Sequence, residues 1–582
     1  MRKTLLTLAA VLSCMTAMAQ WSNSPDVNNR VTPLDQTVYS TEFGVNKDGI
    51  TFLHYNGPKN GTTTTFLQII DQAGNKLLPE EGKVITAERT RTYTMVNDIL
   101  MIDDDGNALL AVSDCRNSPD NLQYLSYTIY KVSPTGEMLW GEEGLDLEKG
   151  HSNDFEAALS MVQRTDGSYV FAWEKDYGDQ ICIQMECISK DKEFLWEESV
   201  YLKEDNVRYT YPYLTDAGNN QIILVYAKGT NQDIMARKID FDGASVWEED
   251  ARIYKGGFPA IPLHVILKVA PDPRGGVFVG WYDDRYFTNY ESTYVSYVNP
   301  DGKLAFSAGI DGQTVGTTEY IRKFTPDMLY DQKTNCLYVL WRETSAGGQT
   351  WQGIKMQKVA MTGELMWDPE GIDIVPLADD KSVGYYTLQS AGDGEVVAFY
   401  MLRYGAYGQV GAYATKVNGD DGSFIWQDQT ITITSPTAEK ANLTTSPLIN
   451  GDHWITMWKD QRDKKADEET AYDGISYMQC VNIDGTLGVP VAIETINANQ
   501  TVDLLASTYT NSIQFTVTNG KAGLVDLSIY SLSGQKIASA FNNQLDGGTQ
   551  TINWNTENIS SGVYIATLTT SEGSKSIRIL VK

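Results

Sequence analysis

The sequence predicts an all-β protein, a β-propeller followed by a small C-terminal β-sandwich, and three observations carry that expectation. First, a short turn recurs eight times at intervals of about sixty residues, and a large apolar residue follows it four positions later. The turn positions are Gly74, Gly136, Lys192, Gly243, Gly302, Gly363, Gly422 and Gly485; the residues four on are Leu78, Trp140, Trp196, Trp247, Phe306, Trp367, Trp426 and Val489. Second, the stretches between turns are short, β-branched and aromatic, and bounded by Asp, Asn and Gly. Third, the character of the chain changes from about residue 503 to a separate series of strand-like runs.

The elements follow in chain order. Residues 1–19 read as a signal peptide: Arg2 and Lys3, an apolar run from Leu5 to Leu12, and Ala17-Met18-Ala19 before Gln20. Cleavage after Ala19 is the expectation, with a lipoprotein reading at Cys14 as the alternative. Its removal takes the formal charge from −29 to −31. A chain this acidic repels nucleic acid and anionic lipid, so neither is an expected partner. No later apolar run is long enough for a membrane-spanning helix. Five cysteines remain, Cys115, Cys182, Cys187, Cys336 and Cys480, an odd number that implies no disulfide framework.

Residues 20–495 form the repeat domain. The seventh unit shows its plan most clearly, with strands expected at Tyr385–Gln389, Val396–Arg403, Val410–Val417 and Phe424–Ile433. Pairs such as Phe194/Trp196, Leu365/Trp367 and Phe424/Trp426 alternate as in one fourth strand, which points both members to one sheet face. A four-stranded sheet cannot bury a face alone, whereas radially stacked sheets bury both. Eight units therefore predict eight blades, with seven as the alternative because the first unit is the least regular. Trp21, Val27 and Val31 resemble a fourth strand that precedes any complete unit. Residues 21–34 are accordingly expected to pair with the last blade.

A meander sorts its connections onto two faces. Turns between strands one and two and between three and four are tight, as at Asp166-Gly167, Asp301-Gly302 and Asp393-Gly394, and leave little room for a site. The opposite face carries longer loops, the usual place for binding residues on a rigid scaffold. Its candidate binding residues are Asp283, Asp284, Arg285, Tyr286, Tyr290, Trp351, Arg403, Tyr404, Tyr407, Asp460 and Arg462. Tyrosine suits glycan or protein contact because it offers an apolar face and a hydroxyl. The recurring Trp-x-Asp-x-Arg at 281–285 and 458–462 can clamp an acidic group or do acid–base work, but recurrence favours an Asp–Arg brace. Asp103 and Asp105 offer a weak calcium possibility within a turn, and no other cofactor is implied. His54, His151, His264 and His453 lack zinc-ligand spacing, and no catalytic serine or phosphate-loop motif occurs.

After a linker at 496–502, residues 503–582 predict a small sandwich, with runs at Ile513–Val517, Leu524–Tyr530, Lys536–Phe541, Gln550–Trp554, Gly562–Leu568 and Ser576–Val581. The stretches Leu527 to Ile537 with Gly534, Ser561 to Ala566 with Gly562 and Tyr564, and Ile577 to Lys582 resemble the type A C-terminal sorting domain of the type IX secretion system. That resemblance implies a bacterium of the Bacteroidota, passage through the periplasm, contact with the type IX machinery, and release or attachment at the outer-membrane surface. The Pro-Asn-Pro start common in that family is missing here. The functional expectation is an exported β-propeller protein that binds a glycan or protein through its long-loop face and leans away from catalysis. A polysaccharide hydrolase or lyase using carboxylates and arginines on that face is the alternative.

Overall fold

The computed structural model describes residues 21–34, 38–59, 62–86, 98–116, 125–147, 155–177, 180–257, 267–286, 288, 290–317, 319–405, 409–463, 474–489, 502–508, 511–519, 521–531, 535–560, 562–570 and 573–581. The signal segment with Cys14, His151, His264, Tyr407, Gly534 and Lys582 lie outside the described residues. The chain divides into two compact units, Met1–Pro490 and Val491–Lys582.

In the first unit the described residues form eight antiparallel sheets. The third is typical: Phe155–Gln163, Tyr169–Asp176, Ile181–Ile188 and Val200–Leu202 pair in sequence order. The first strand of each sheet lies beside the first strand of the next, from Thr41–Val45 round to Lys440–Thr445. Leu53, Tyr55 and Phe66 of the first sheet share one buried cluster with Ile455, Met457 and Met478 of the eighth, so the series closes on itself. The architecture is propeller-like. Its central strands are wholly buried, as in His453–Asp460 and Ile475–Asn482, because each sheet packs on both faces. No helix among the described residues is long and apolar enough to cross a membrane.

The eighth sheet takes its fourth strand from the other end of the chain. Asn29 lies opposite Met478 and Arg30 opposite Tyr477, and the amide of Val31 donates to Ser476 at 2.9 Å. Asn29 also donates its side-chain amide to the carbonyl of Gly74 at 2.7 Å.

The glycine and aromatic period has a physical explanation in contacts between neighbouring sheets. The turn glycines adopt left-handed backbone, such as φ 90° at Gly243 and 79° at Gly302. The ring of the preceding unit's aromatic residue lies against them. A Cβ on Gly302 would fall 2.7 Å from Trp247. In four of these tryptophans the indole N–H then donates to the carbonyl two residues before the turn position: Trp140 to Lys190 at 3.1 Å, Trp196 to Phe241 at 2.9 Å, Trp247 to Pro300 at 2.9 Å and Trp426 to Ile483 at 3.2 Å, whereas that of Trp367 is buried without a partner. At Lys192, with φ 74°, the ammonium reaches back to the carbonyl of Trp140 at 2.9 Å. Trp21 repeats the pattern with Gln72 at 2.8 Å, two residues before Gly74. The N-terminal segment thus supplies the tryptophan that the last unit, with Val489 in that slot, does not carry.

One expectation needs correction. The tryptophans are not in the fourth strands. Phe194, Leu365 and Phe424 each make a single bridge, to Ile188, Val359 and Val417, and the tryptophan follows before the ladder resumes. The fourth strands proper are Val200–Leu202, Ile372–Ala378 and Thr430–Ala438. Turning out of the ladder lets the ring lie across the neighbouring sheet's turn.

The second unit is a sandwich of two sheets. One pairs Val502–Thr508, Ser512–Asn519 and Gly548–Asn555; the other orders Lys536–Leu545, Gly523–Ser531, Gly562–Thr570 and Gly573–Val581. Ile513, Phe515, Val525, Leu527, Trp554 and Leu568 fill its core. The strand at 502–508 overlaps the expected linker by a residue and adds a strand to the six read from the sequence.

Candidate functional site

The long-loop face is built where second strands end and first strands begin. Gly276–Asp283 delivers Asp283 to this end of the fifth sheet, fully buried. Its carboxylate accepts the Trp281 indole N–H at 3.0 Å and the Arg285 amide, Nε and Nη2 at 3.0, 2.8 and 2.7 Å. The Arg285 guanidinium lies 3.6 Å from the centre of the Tyr294 ring, the cross-strand neighbour of Trp281. Asp460 repeats this with Trp458 at 3.1 Å, Arg462 Nη2 at 2.6 Å and the Tyr477 ring at 4.7 Å. Asp114 and Arg116 form a third such pair. These residues sit inside the hairpin ends, with their oxygens already engaged, and not in an open groove. Asp284 is also buried and accepts the Thr288 amide at 2.9 Å. Arg403 is held by Glu439, and Tyr404 packs edge-on against Tyr413.

The turn at Asp103 is likewise closed. Its carboxylate engages the Asn107 amide at 2.7 Å, Lys131 at 3.0 Å and the Tyr169 hydroxyl at 2.9 Å, while Asp105 is exposed. No cluster of three or more His, Cys, Asp or Glu side chains arranged to hold a metal occurs among the described residues. Cys115, Cys182, Cys187, Cys336 and Cys480 are buried.

What the face exposes is aromatic. Tyr286 is 75% exposed, Tyr320 68% and Trp351 48%, all on connections of the fifth and sixth sheets, and Tyr290 meets Tyr320 edge-on at 5.5 Å. The face also holds a cavity of about 470 Å3 lined by Lys268, Thr325, Pro326, Asp327, Arg342, Val383, Gly384, Tyr385 and Tyr386. Lys268, Asp327 and Val383 come from the first strands of three consecutive sheets, which places the cavity at the inner edge of the loop face. A bulge between Val383 and Tyr386 leaves Tyr385 49% exposed. Tyr385 lies within a strand, as the sequence predicts, but the bulge that exposes it is not legible there, and Arg342 and Lys268 go unmarked because each lies in a different repeat and no spacing links them. The short-turn face is not featureless either: Asn107, Leu139, Trp140, Lys190 and Lys192 line a cavity of about 500 Å3 there, contrary to expectation.

A half-buried titratable group lies at the first sheet. Burial pushes the Glu42 carboxyl up to about 7 against the opposing pull of His54 and of the Leu100 amide, which donates to it at 2.9 Å. His54 Nε2 in turn lies 3.3 Å from Asp98. Unfolded, the glutamate titrates near 4.5, so the folded chain holds the proton more tightly. That contribution is complete below pH 4.5 and is lost as pH rises through 7, by up to about 3 kcal/mol. Glu42→Gln should therefore flatten the fall in urea-unfolding stability between pH 4.5 and 7.5; a slope identical to wild type would refute this role.

Comparison with known proteins divides along the two units. Residues 509–582 match the family model described as the secretion system C-terminal sorting domain. The tail is thus a type IX sorting domain, which marks the chain for export, to be secreted or attached to the cell surface. No curated protein matches the chain in sequence. Among solved structures it is similar to prolyl oligopeptidase B from Galerina marginata, at 12% identity and a TM-score of 0.36, over 73% of this chain and 56% of that one. It is also similar to an α-L-arabinanase of Penicillium chrysogenum, at 11% and 0.31, over 56% and 94%. A protein of unknown function from Dyadobacter fermentans gives 10% and 0.33, over 79% and 99%. The fold rests on the sheets and core described above, and no residue role is carried over from these structures.

Proposed function

We propose that this exported protein binds a glycan or a protein through the long-loop face of its propeller-like unit. The observation that supports the reading is the exposure of Tyr286, Tyr320 and Trp351 on connections of the fifth and sixth sheets, together with Tyr385 in the lining of a cavity on the same face. Large aromatic side chains exposed together on a rigid support are the pattern of a recognition surface, since they bring contact area at little cost in rotamer entropy. The recurring Asp–Arg pairs brace the loops from beneath. The candidate residues Tyr286, Tyr290 and Trp351 belong to the surface itself.

A Tyr286→Ala/Tyr320→Ala/Trp351→Ala variant should retain the wild-type melting temperature and weaken ligand capture at least about tenfold, since aromatic anchors dominate such surfaces. Glycan arrays and pull-downs from extracellular fluid read the result. Profiles indistinguishable from wild type would remove the face assignment, and release of reducing ends from a polysaccharide by the wild-type chain would replace binding with catalysis.

A further inference from the structure

The cavity at the inner edge of the loop face has an imbalance between donors and acceptors. One oxygen of its carboxylate is engaged: Asp327 Oδ2 takes the Thr387 hydroxyl at 2.8 Å and the Leu388 amide at 2.7 Å. The Tyr386 hydroxyl donates to the carbonyl of Thr325. Its cationic donors are not matched in the same way. The Arg342 guanidinium carbon lies 4.6 Å from the centre of the Phe324 ring, and its Nε is buried with no hydrogen-bond partner. Lys268 is exposed at the rim, and no ion pair among the described residues engages either cation. A carboxylate in the cavity can take charge-assisted bonds from the two Nη groups, which unlike Nε are not among the buried atoms.

The remaining lining is shaped for a ring. Pro326 and Val383 give apolar walls, Gly384 adds no side chain, and Tyr385 stands half-exposed beside them. The volume of about 470 Å3 falls within the ~300–1,000 Å3 of small-ligand sites. A pyranose presents an apolar C–H face to an aromatic ring while its carboxylate extends from the edge. We infer that this cavity binds the carboxylate-bearing unit of an acidic saccharide, with Arg342 and Lys268 on the carboxylate and Tyr385 against the sugar ring. The inference rests on the loop-face reading and narrows its ligand. The chain's formal charge of −29 opposes a long polyanion, so short or terminal uronates are the favoured form.

Isothermal titration of the full chain with trigalacturonate and with its methyl ester tests this. The acid should bind at least about tenfold more tightly than the ester, the range expected for a charge-assisted bidentate contact. Arg342→Met should erase that preference, and the surface variant Lys268→Gln, which leaves the core untouched, should reduce it. Tyr385→Ala should weaken acid and ester alike. Equal binding of acid and ester, or a preference unaffected by both cation variants, overturns the inference; if such binding is still lost in the Tyr286/Tyr320/Trp351 variant, the loop-face reading survives. Arg342-dependent binding of a peptide with a free C-terminal carboxylate, with no saccharide bound, overturns the saccharide assignment. Absence of every ligand from the face overturns both.

Discussion

Removal of residues 21–34 is expected to lower the unfolding temperature of the first unit more than any loop substitution, and Trp21→Ala alone should cost about 3–5 kcal/mol. Trp21 is 3% exposed, shares its cluster with core residues of the first and eighth sheets, and donates to the carbonyl of Gln72. Deletion removes more than this ring. It strips the fourth strand from the eighth sheet, exposing the ladder groups of Met478 and Tyr477, and removes the Asn29 contact to Gly74. It also breaks contacts with the seventh sheet, where the Ser435 amide donates to the carbonyl of Pro25 and Thr434 to Asn28 at 2.9 Å. Because the segment bridges three sheets, its loss opens a closed series and not one hairpin. Thermal melts of the deletion and of Trp21→Ala give the measurement. A deletion that melts with wild type would show that the series holds without its strap.

Much of this was legible in the sequence because repetition amplifies weak local signals. Alternation in one four-residue strand means little; the same turn followed by a large apolar residue at eight positions, six of them aromatic, identified the sheets and the closing role of Trp21. The aromatic itself was misplaced by a few residues, since alternation cannot distinguish a ladder from a single bridge followed by a turn. No strand was expected over Val502–Thr508, which falls at the end of the expected linker and the start of the sorting domain with no turn signal to set it off. The site was less legible for the same reason that the fold was more so. Asp283 and Asp460 stood out because they recur, and recurring residues serve the scaffold. Lys268, Arg342 and Tyr385 occur once each and meet only after three sheets are stacked. A bulge at Gly384 then decides that Tyr385 is exposed, and no periodicity encodes it.

The brace reading makes a second strong prediction. Asp283→Asn and Asp460→Asn should each destabilise the first unit by about 3–5 kcal/mol, the cost of leaving a buried charge without its partner. Both carboxylates are inaccessible, and each loss strands an arginine and an indole N–H. Asp460 should be the costlier of the two. Lys440 lies 3.7 Å from it with its side chain fully buried, and Arg462 extends to Asn28 Oδ1 at 2.8 Å, tying this hairpin end to the N-terminal strap. A double-mutant cycle of Asp460→Asn with Asn28→Ala should therefore show coupling of about 0.5–3 kcal/mol, whereas Asp283→Asn with Asn28→Ala should be additive. Below its melting temperature, Asp283→Asn should bind ligand as wild type does, because its oxygens face Trp281 and Arg285 and not the loop surface. An Asp283→Asn variant with unchanged stability and lost binding would turn the repeated motif from a brace into a binding element.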